Sequence, residues 1–196
     1  MNIKKILSRK YILASKSERR IKLLKQIGLN FDVYPSTIDE KENSYSIPTK
    51  IIRSNAETKA KDVSKRFKNE VIIGADTIVV HRNLILHKPR SLRQAKNFLK
   101  FLAGKTHNVY TGIYLVDTYT GKELFNYEKT AVKFRKLSIS EINYYVDNFK
   151  PLDKAGAYGI QDDFGCLFIK EIRGDYYNVV GLPLTRLYLM LNEIMK

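Results

Sequence analysis

Apolar positions along the chain recur with two different periods, and each change of period separates a strand from a helix. Tyr11–Ala14 is a short apolar run that leads into Ser15-Lys16-Ser17-Glu18-Arg19-Arg20. Ile21, Leu24 and Ile27 then recur at helical spacing, and Gly28 offers a C-terminal stop. Ser15 and Glu18 have capping-box spacing, with Ser17 as a second N-cap. Phe31–Tyr34 reads as a strand. Pro48 opens a helix whose stripe is Ile52, Ala56, Ala60, Val63 and Phe67. Val71–Val80 carries β-branched residues on both sides of Gly74-Ala75-Asp76, which predicts two buried strands with a break at the carboxylate. Leu84–Leu86 ends in Lys88, held extended by Pro89. Ser91 and Gln94 open a helix with the stripe Leu92, Ala95, Phe98, Leu99 and Leu102. Val109–Val116 and Lys129–Arg135 alternate as an antiparallel pair around a turn at Tyr119–Lys122. Ser138 and Glu141 open another helix that buries Ile142, Tyr145, Val146 and Phe149. Gly165–Ile172 predicts a strand, and Leu184, Leu187, Tyr188, Leu191 and Met195 form the last stripe. The mixture of strands and helices around a central antiparallel pair gives an α/β class with a mixed sheet.

The bulk numbers change this picture little. With 196 residues, 44% hydrophobic and 28% charged, the chain suits one globular domain or two small lobes sharing a sheet. No apolar run approaches the ~20 residues of a membrane helix. Ser8-Arg9-Lys10 interrupts any export signal that Lys4-Lys5-Ile6-Leu7 begins. The lone Cys166 excludes an internal disulfide and suits a reducing cytoplasm. The net charge of +15 admits a polyanionic partner. The lysines are scattered, however, with no basic run interleaved with aromatics, which favours a solvated basic surface over a nucleic-acid interface.

Candidate chemistry begins with Asp76. From its own stretch it reads most simply as a turn cap between strands, and otherwise as a metal-binding or general-base carboxylate at the mouth of a sheet. The strand–loop–helix at Ser15–Arg20 aims free backbone N–H groups and the positive helix end at one point, with two guanidinium forks beside them. Lys59 borders the apolar stripe of its helix, and Lys88 sits at a strand tip. The pair Asp39-Glu40 lies in a polar segment running to Ser46. Gly104-Lys105-Thr106 imitates the end of a P-loop but lacks its first glycine, because position 99 is Leu. His81, His87, His107 and Cys166 show no zinc spacing, and no serine stands in a nucleophile elbow. Asp153–Gln161 is a loop of small residues that lets the backbone approach a flat ligand or another part of the protein. Cations at element ends together with Asp76 and Glu40 are the set that a polyphosphate ester with a divalent metal requires, provided they converge in space.

Taken together, several blocks resemble the Maf family of nucleoside triphosphate pyrophosphatases. They are Ile12-Leu13-Ala14-Ser15-x-Ser17-x-Arg19-Arg20, Ile38-Asp39-Glu40, Lys59-Ala60, Gly74-Ala75-Asp76-Thr77 and Lys88-Pro89, followed by Val109–Gly112, Asp153–Gln161 and Gly174–Leu184. They fall in the family's order over nearly the whole chain. The resemblance implies one domain over 1–196, with a long mixed β-sheet flanked by helices and a cleft between two lobes. It implies a cytoplasmic enzyme that splits a nucleoside triphosphate into monophosphate and pyrophosphate with Mg²⁺ or Mn²⁺. It makes Asp76 the proton acceptor, with Glu40 a second metal-side carboxylate. Ser15, Arg19, Arg20, Lys59 and Lys88 would hold the triphosphate. Thr77 and Gln161 match the branch acting on dTTP and UTP, so Arg19, Thr77 and Gln161 are assigned to specificity. A homodimer is left open, and no membrane partner is expected. One departure stands out: Glu18 occupies the place where the family carries proline, and its charge weakens triphosphate binding unless it turns back to cap Ser15. Two other readings remain. One is a catalytically weak nucleic-acid-binding or division-regulating protein of the same fold. The other is an enzyme clearing noncanonical purine triphosphates.

Overall fold

The computed structural model describes residues 3–40, 47–161 and 164–196. Within them the elements run α1 (Ile3–Ser8), β1 (Tyr11–Leu13), α2 (Glu18–Gln26), β2 (Phe31–Val33), α3 (Pro48–Ser64), β3 (Val71–His81) and β4 (Leu84–Leu86). There follow α4 (Leu92–Leu102), β5 (Thr106–Asp117), β6 (Glu123–Phe134), α5 (Ile139–Phe149), β7 (Ile169–Arg173), α6 (Tyr176–Val180) and α7 (Leu184–Ile194). The strands form one mixed seven-stranded sheet in the order β2-β1-β3-β5-β6-β7, with β4 also paired to β3. β1 runs parallel to β2 and β3; the remaining pairs are antiparallel.

β3 is the axis of the sheet, and it corrects one expectation. There is no break at Asp76. β5 pairs with β3 without interruption from Val71 to Val80, which holds Gly74 and Ala75 extended despite their weak strand preference. Asp76 therefore sits mid-strand and caps no turn. The other edge of β3 is covered only in part. β1 pairs with Val71–Ile73 and β4 with Val79–His81, leaving Gly74–Ile78 with no strand neighbour on that side among the described residues.

Strand alternation then sorts the core. Ile72, Ile78 and Val80 face α3, against Ile52, Ala56, Ala60 and Val63. Ile73 and Ala75 face the opposite layer, where α2 and α7 bring Leu23, Leu24, Leu187 and Leu191. Farther along that second face, Val79, Val109, Val132 and Phe134 pack on α4 and α5.

Other differences have local causes. The expected strand at 165–172 begins only at Ile169, because a 3₁₀ turn over Phe164–Phe168 drives Phe168 onto Phe134 and Tyr145. Phe149 ends α5 half exposed at 41%, stacked on Tyr145 rather than buried. Phe67 lies beyond the end of α3 and meets the Tyr34 ring edge-on. The Ser138–Glu141 capping box forms as expected. At α4, Ser91 caps Gln94, but the Gln94 amide reaches Arg90 rather than Ser91.

Candidate active site

The uncovered stretch of β3 is where the candidate residues gather. Gly74 permits this: a Cβ there would stand 2.2 Å from the Ala56 carbonyl oxygen, so α3 packs on β3 at backbone contact. That approach carries two polar side chains, one helical turn apart, onto Asp76. Asn55 Nδ2 donates to Asp76 Oδ2 at 3.0 Å, and Lys59 Nζ to Asp76 Oδ1 at 3.2 Å. Asp76, Asn55 and Lys59 are all buried. Lys59 also donates to Glu40 Oε1 at 2.6 Å and to the Ala75 carbonyl at 3.3 Å. Lys88, at the tip of β4, closes on Glu40 from outside at 3.0 Å. One ammonium thus bridges the two carboxylates, and a second neutralises the outer one. Burial alone would raise the Glu40 carboxyl, but the charges and hydrogen bonds of Lys59 and Lys88 outweigh it and hold it at about 2.

The second group comes from the start of α2. The Ser15–Glu18 capping box does not form: Ser17 is the N-cap and makes no side-chain cap bond. Ser15 Oγ accepts instead from the Ser17 N–H and from Arg20, which leaves its proton directed elsewhere. Glu18 is exposed and lines the cavity wall, the less favourable of its two expected positions. Arg19 reaches across to Asp153 at 2.7 Å, tying α2 to the small-residue loop. Asp153 is held below its ordinary value: burial would raise it, but the Arg19 hydrogen bond and the charges of Lys154 and Arg19 prevail. Arg20 turns inward to the second face of β3 and meets Thr77 there.

All nine sequence-derived positions, Ser15, Arg19, Arg20, Glu40, Lys59, Asp76, Thr77, Lys88 and Gln161, line a single cavity of about 1660 Å³. Among the described residues its wall carries eight lysines and arginines against five acidic residues, a surplus of three positive charges that suits a polyanion. Thr77 lies on the face of β3 opposite Asp76, and the cavity reaches both because no strand among the described residues covers this edge. Since Ala75 O points to the open edge, alternation places the Thr77 N–H and C=O there too. Sequence reasoning missed Asn55 and Asp153. Asn55 carried one usable signal: it precedes Lys59 by four residues, on the same side of α3.

The donor chemistry fits a hard divalent cation. Glu40 and Asp76 offer oxygen only, and they already share one cationic group, the Lys59 ammonium. Among the described residues no cluster of three or more His, Cys, Asp or Glu could hold a metal. Phosphate and water oxygens would therefore complete the shell, as Mg²⁺ sites commonly allow.

A mixed α/β sheet gathers carboxylates and cations at a bare stretch of its central strand, a charge pattern that suits a polyanion. The family model described as Maf-like protein matches residues 10–194, and the chain belongs to that family. A relative from Bacillus anthracis is 45% identical over 179 residues, covering 91% of this chain and 92% of its own, and is named dTTP/UTP pyrophosphatase. A relative from Alkaliphilus oremlandii with the same name is 46% identical over 183 residues, covering 93% and 94%. The solved structure of the Staphylococcus aureus Ham1 protein aligns with 64% of this chain and 72% of its own, with a TM-score of 0.45 and 12% identity.

Proposed function

We propose that this chain is a nucleoside triphosphate pyrophosphatase that hydrolyses dTTP and UTP to the nucleoside monophosphate and pyrophosphate. The observation that carries the reading is the Lys59 ammonium in contact with both Glu40 and Asp76 at the uncovered stretch of β3. A triphosphate entering the cavity competes with these carboxylates for Lys59 and Lys88. As the lysines turn to phosphate oxygens, Glu40 and Asp76 lose their internal counter-charge. Glu40 and Asp76 would hold Mg²⁺ or Mn²⁺, which would supply charge neutralisation and Lewis acidity there. Arg19 and the Ser15 hydroxyl add donors at the mouth of α2, where the helix end also favours anions.

Asp76 accepts the proton of the attacking water. Asn55 holds Oδ2 fixed, so Oδ1 is the oxygen that becomes available when Lys59 leaves it. Water oxygen bonds to the α-phosphorus, the bond to the bridging oxygen breaks, and pyrophosphate departs with the electron pair. Lys59 and Lys88 stabilise the negative charge that develops on the leaving group. Gln161, which presents both a donor and an acceptor, reads the base. The names of the relatives and the surplus of positive charge around a buried carboxylate both support this assignment.

The test is pyrophosphate release from dTTP, UTP, CTP, ATP, ITP and XTP with Mg²⁺ or Mn²⁺, beside Asp76→Asn. Turnover of dTTP and UTP should fall by about 10²–10⁴-fold in the mutant. Turnover confined to purine triphosphates would sink the pyrimidine assignment. No turnover by folded protein would sink the reaction.

A further inference from the structure

The two consecutive arginines differ in what surrounds them. Arg20 is 8% exposed, and its guanidinium donates four hydrogen bonds within the protein. Nε reaches the Gly181 carbonyl at 2.9 Å, one terminal nitrogen reaches Ser15 Oγ at 3.1 Å and the Ala75 carbonyl at 3.0 Å, and the other reaches Thr77 Oγ1 at 3.0 Å. Of the five N–H groups of a guanidinium, four are therefore already committed.

The protons around Thr77 can be followed from donor to acceptor. A threonine hydroxyl has one proton and two lone pairs. The Thr111 hydroxyl, fully buried, donates to the Asn178 carbonyl at 3.1 Å. Thr111 Oγ1 lies 3.0 Å from Thr77 Oγ1, so the proton between them is that of Thr77. Thr77 accepts from Arg20 and donates to Thr111, and its other acceptor in reach is the Gly181 carbonyl at 3.4 Å. On either route its proton stays inside the protein. What Thr77 offers the cavity is one lone pair.

We propose that Arg20 is a positioning residue for base selection: with Thr111 it fixes the Thr77 hydroxyl as an acceptor only, so the site selects a nucleobase that presents an N–H to it. Uracil and thymine carry that proton at N3; cytosine presents a bare N3 there and would meet a lone pair. This inference rests on the pyrimidine nucleotide reading above and names the feature of the base that is read.

Arg20→Lys and Thr111→Val test it. Lysine keeps the charge but cannot span the four separated acceptors. Valine at position 111 is nearly isosteric, lies outside the cavity wall, and removes the nearer acceptor of the Thr77 proton, leaving it the longer contact to the Gly181 carbonyl at 3.4 Å. Two quantities are measured for each: the kcat/KM ratio of UTP over CTP, and inhibition by inorganic tripolyphosphate, which has no base. In both variants the UTP-over-CTP ratio should fall by about fivefold or more, with tripolyphosphate inhibition within about twofold of wild type. The Thr77→Val background should abolish the further effect of either change. Weaker tripolyphosphate inhibition with an unchanged ratio would make Arg20 a phosphate ligand and overturn the proposal. A uniform loss for both nucleotides, or no preference in the wild type, would also overturn it. Should the wild type hydrolyse no triphosphate, the function reading fails separately, and calorimetric binding of UMP against CMP to the same proteins decides the inference. Should Arg20→Lys not melt cooperatively, the Thr111→Val ratio decides alone.

Discussion

Replacing Gly74 with alanine should dismantle the Asn55–Lys59–Asp76 cluster without touching any of its side chains. The new methyl would lie 2.2 Å from the Ala56 carbonyl oxygen, 2.9 Å from Ala60 Cβ and 3.0 Å from Ala60 N. Ordinary contact starts at 3.4 Å, so α3 must retreat from β3 by about 1.2 Å at the tightest point. Asn55 and Lys59 travel with α3. A shift of that size takes their bonds to Asp76, now 3.0 and 3.2 Å, past hydrogen-bonding range. Overpacking of this kind costs about 1–3 kcal/mol, which for a chain of this length lowers the melting temperature by roughly 3–10 °C. Displacement of reacting groups by about 1 Å lowers kcat by about 10²-fold. The assay pairs a thermal melt with kcat on dTTP, corrected for folded fraction. Ile72→Val is the comparison, since it loosens the same α3–β3 contact by about 1 kcal/mol without pushing the helix away. Ala60→Gly should not rescue Gly74→Ala, because the nearest obstruction is backbone. A Gly74→Ala enzyme with kcat within threefold of wild type would refute the reasoning. So would an equal loss of activity in Ile72→Val.

Three further outcomes are expected. Asn55→Leu should lower kcat about 10–100-fold and leave KM little changed, since Asn55 touches Asp76 and not the cavity; a change confined to KM would argue against this. Glu18→Gln should lower the KM for triphosphate a few-fold at low salt and lose that effect near 1 M salt, where charges at a cavity mouth are screened; a salt-independent effect would contradict an electrostatic cause. His107, fully buried with its Nε2 2.7 Å from the Tyr158 hydroxyl, is pushed down to about 3 by burial, with His81 adding to the shift. The folded state therefore resists a proton that the unfolded state accepts below about pH 6.5. Stability from this group is complete above that pH and is lost on acidification, by about 2 kcal/mol at pH 5, as urea midpoints would register. In His107→Gln that part of the slope should disappear; an unchanged slope would place the titration elsewhere.

The five longer helices were legible because their apolar stripes and caps are local features, as at Ser138–Glu141 and Leu92–Leu102, whereas the short α1 and α6 carry no such stripe and were not anticipated. The residues that converge on the cavity could be named as a set because the family resemblance quoted them together. What escaped depends on contacts distant in sequence. Nothing near Gly74-Ala75-Asp76 announces a continuous strand; β5, from Thr106 onward, imposes it. Asn55 looks like an ordinary polar residue beside a stripe until Gly74 draws α3 onto the carboxylate. Arg19 and Arg20 are identical in sequence terms, and only the position of α2 over the second face of β3 ties one to internal acceptors and sends the other across the cavity to Asp153. Phe168 reads as strand because the 3₁₀ turn that carries it has no signature separable from an apolar run.

A sheet edge with free N–H and C=O groups is a template for pairing with another chain, and proteins ordinarily keep such edges short or charged. This chain does so at its margins, where β2 has three residues and β7 has five, with Lys170, Glu171 and Arg173 among them. The bare stretch Gly74–Ile78 is a third edge, and it lies between β1 and β4 rather than at a margin. A foreign strand would have to thread between them to dock, past Arg20 and Lys59 on the Ala75 carbonyl. The same interruption that gives a small molecule access to main-chain polar groups therefore protects the chain from aggregation, so mutations that lengthen β1 or β4 should close the site before they affect solubility.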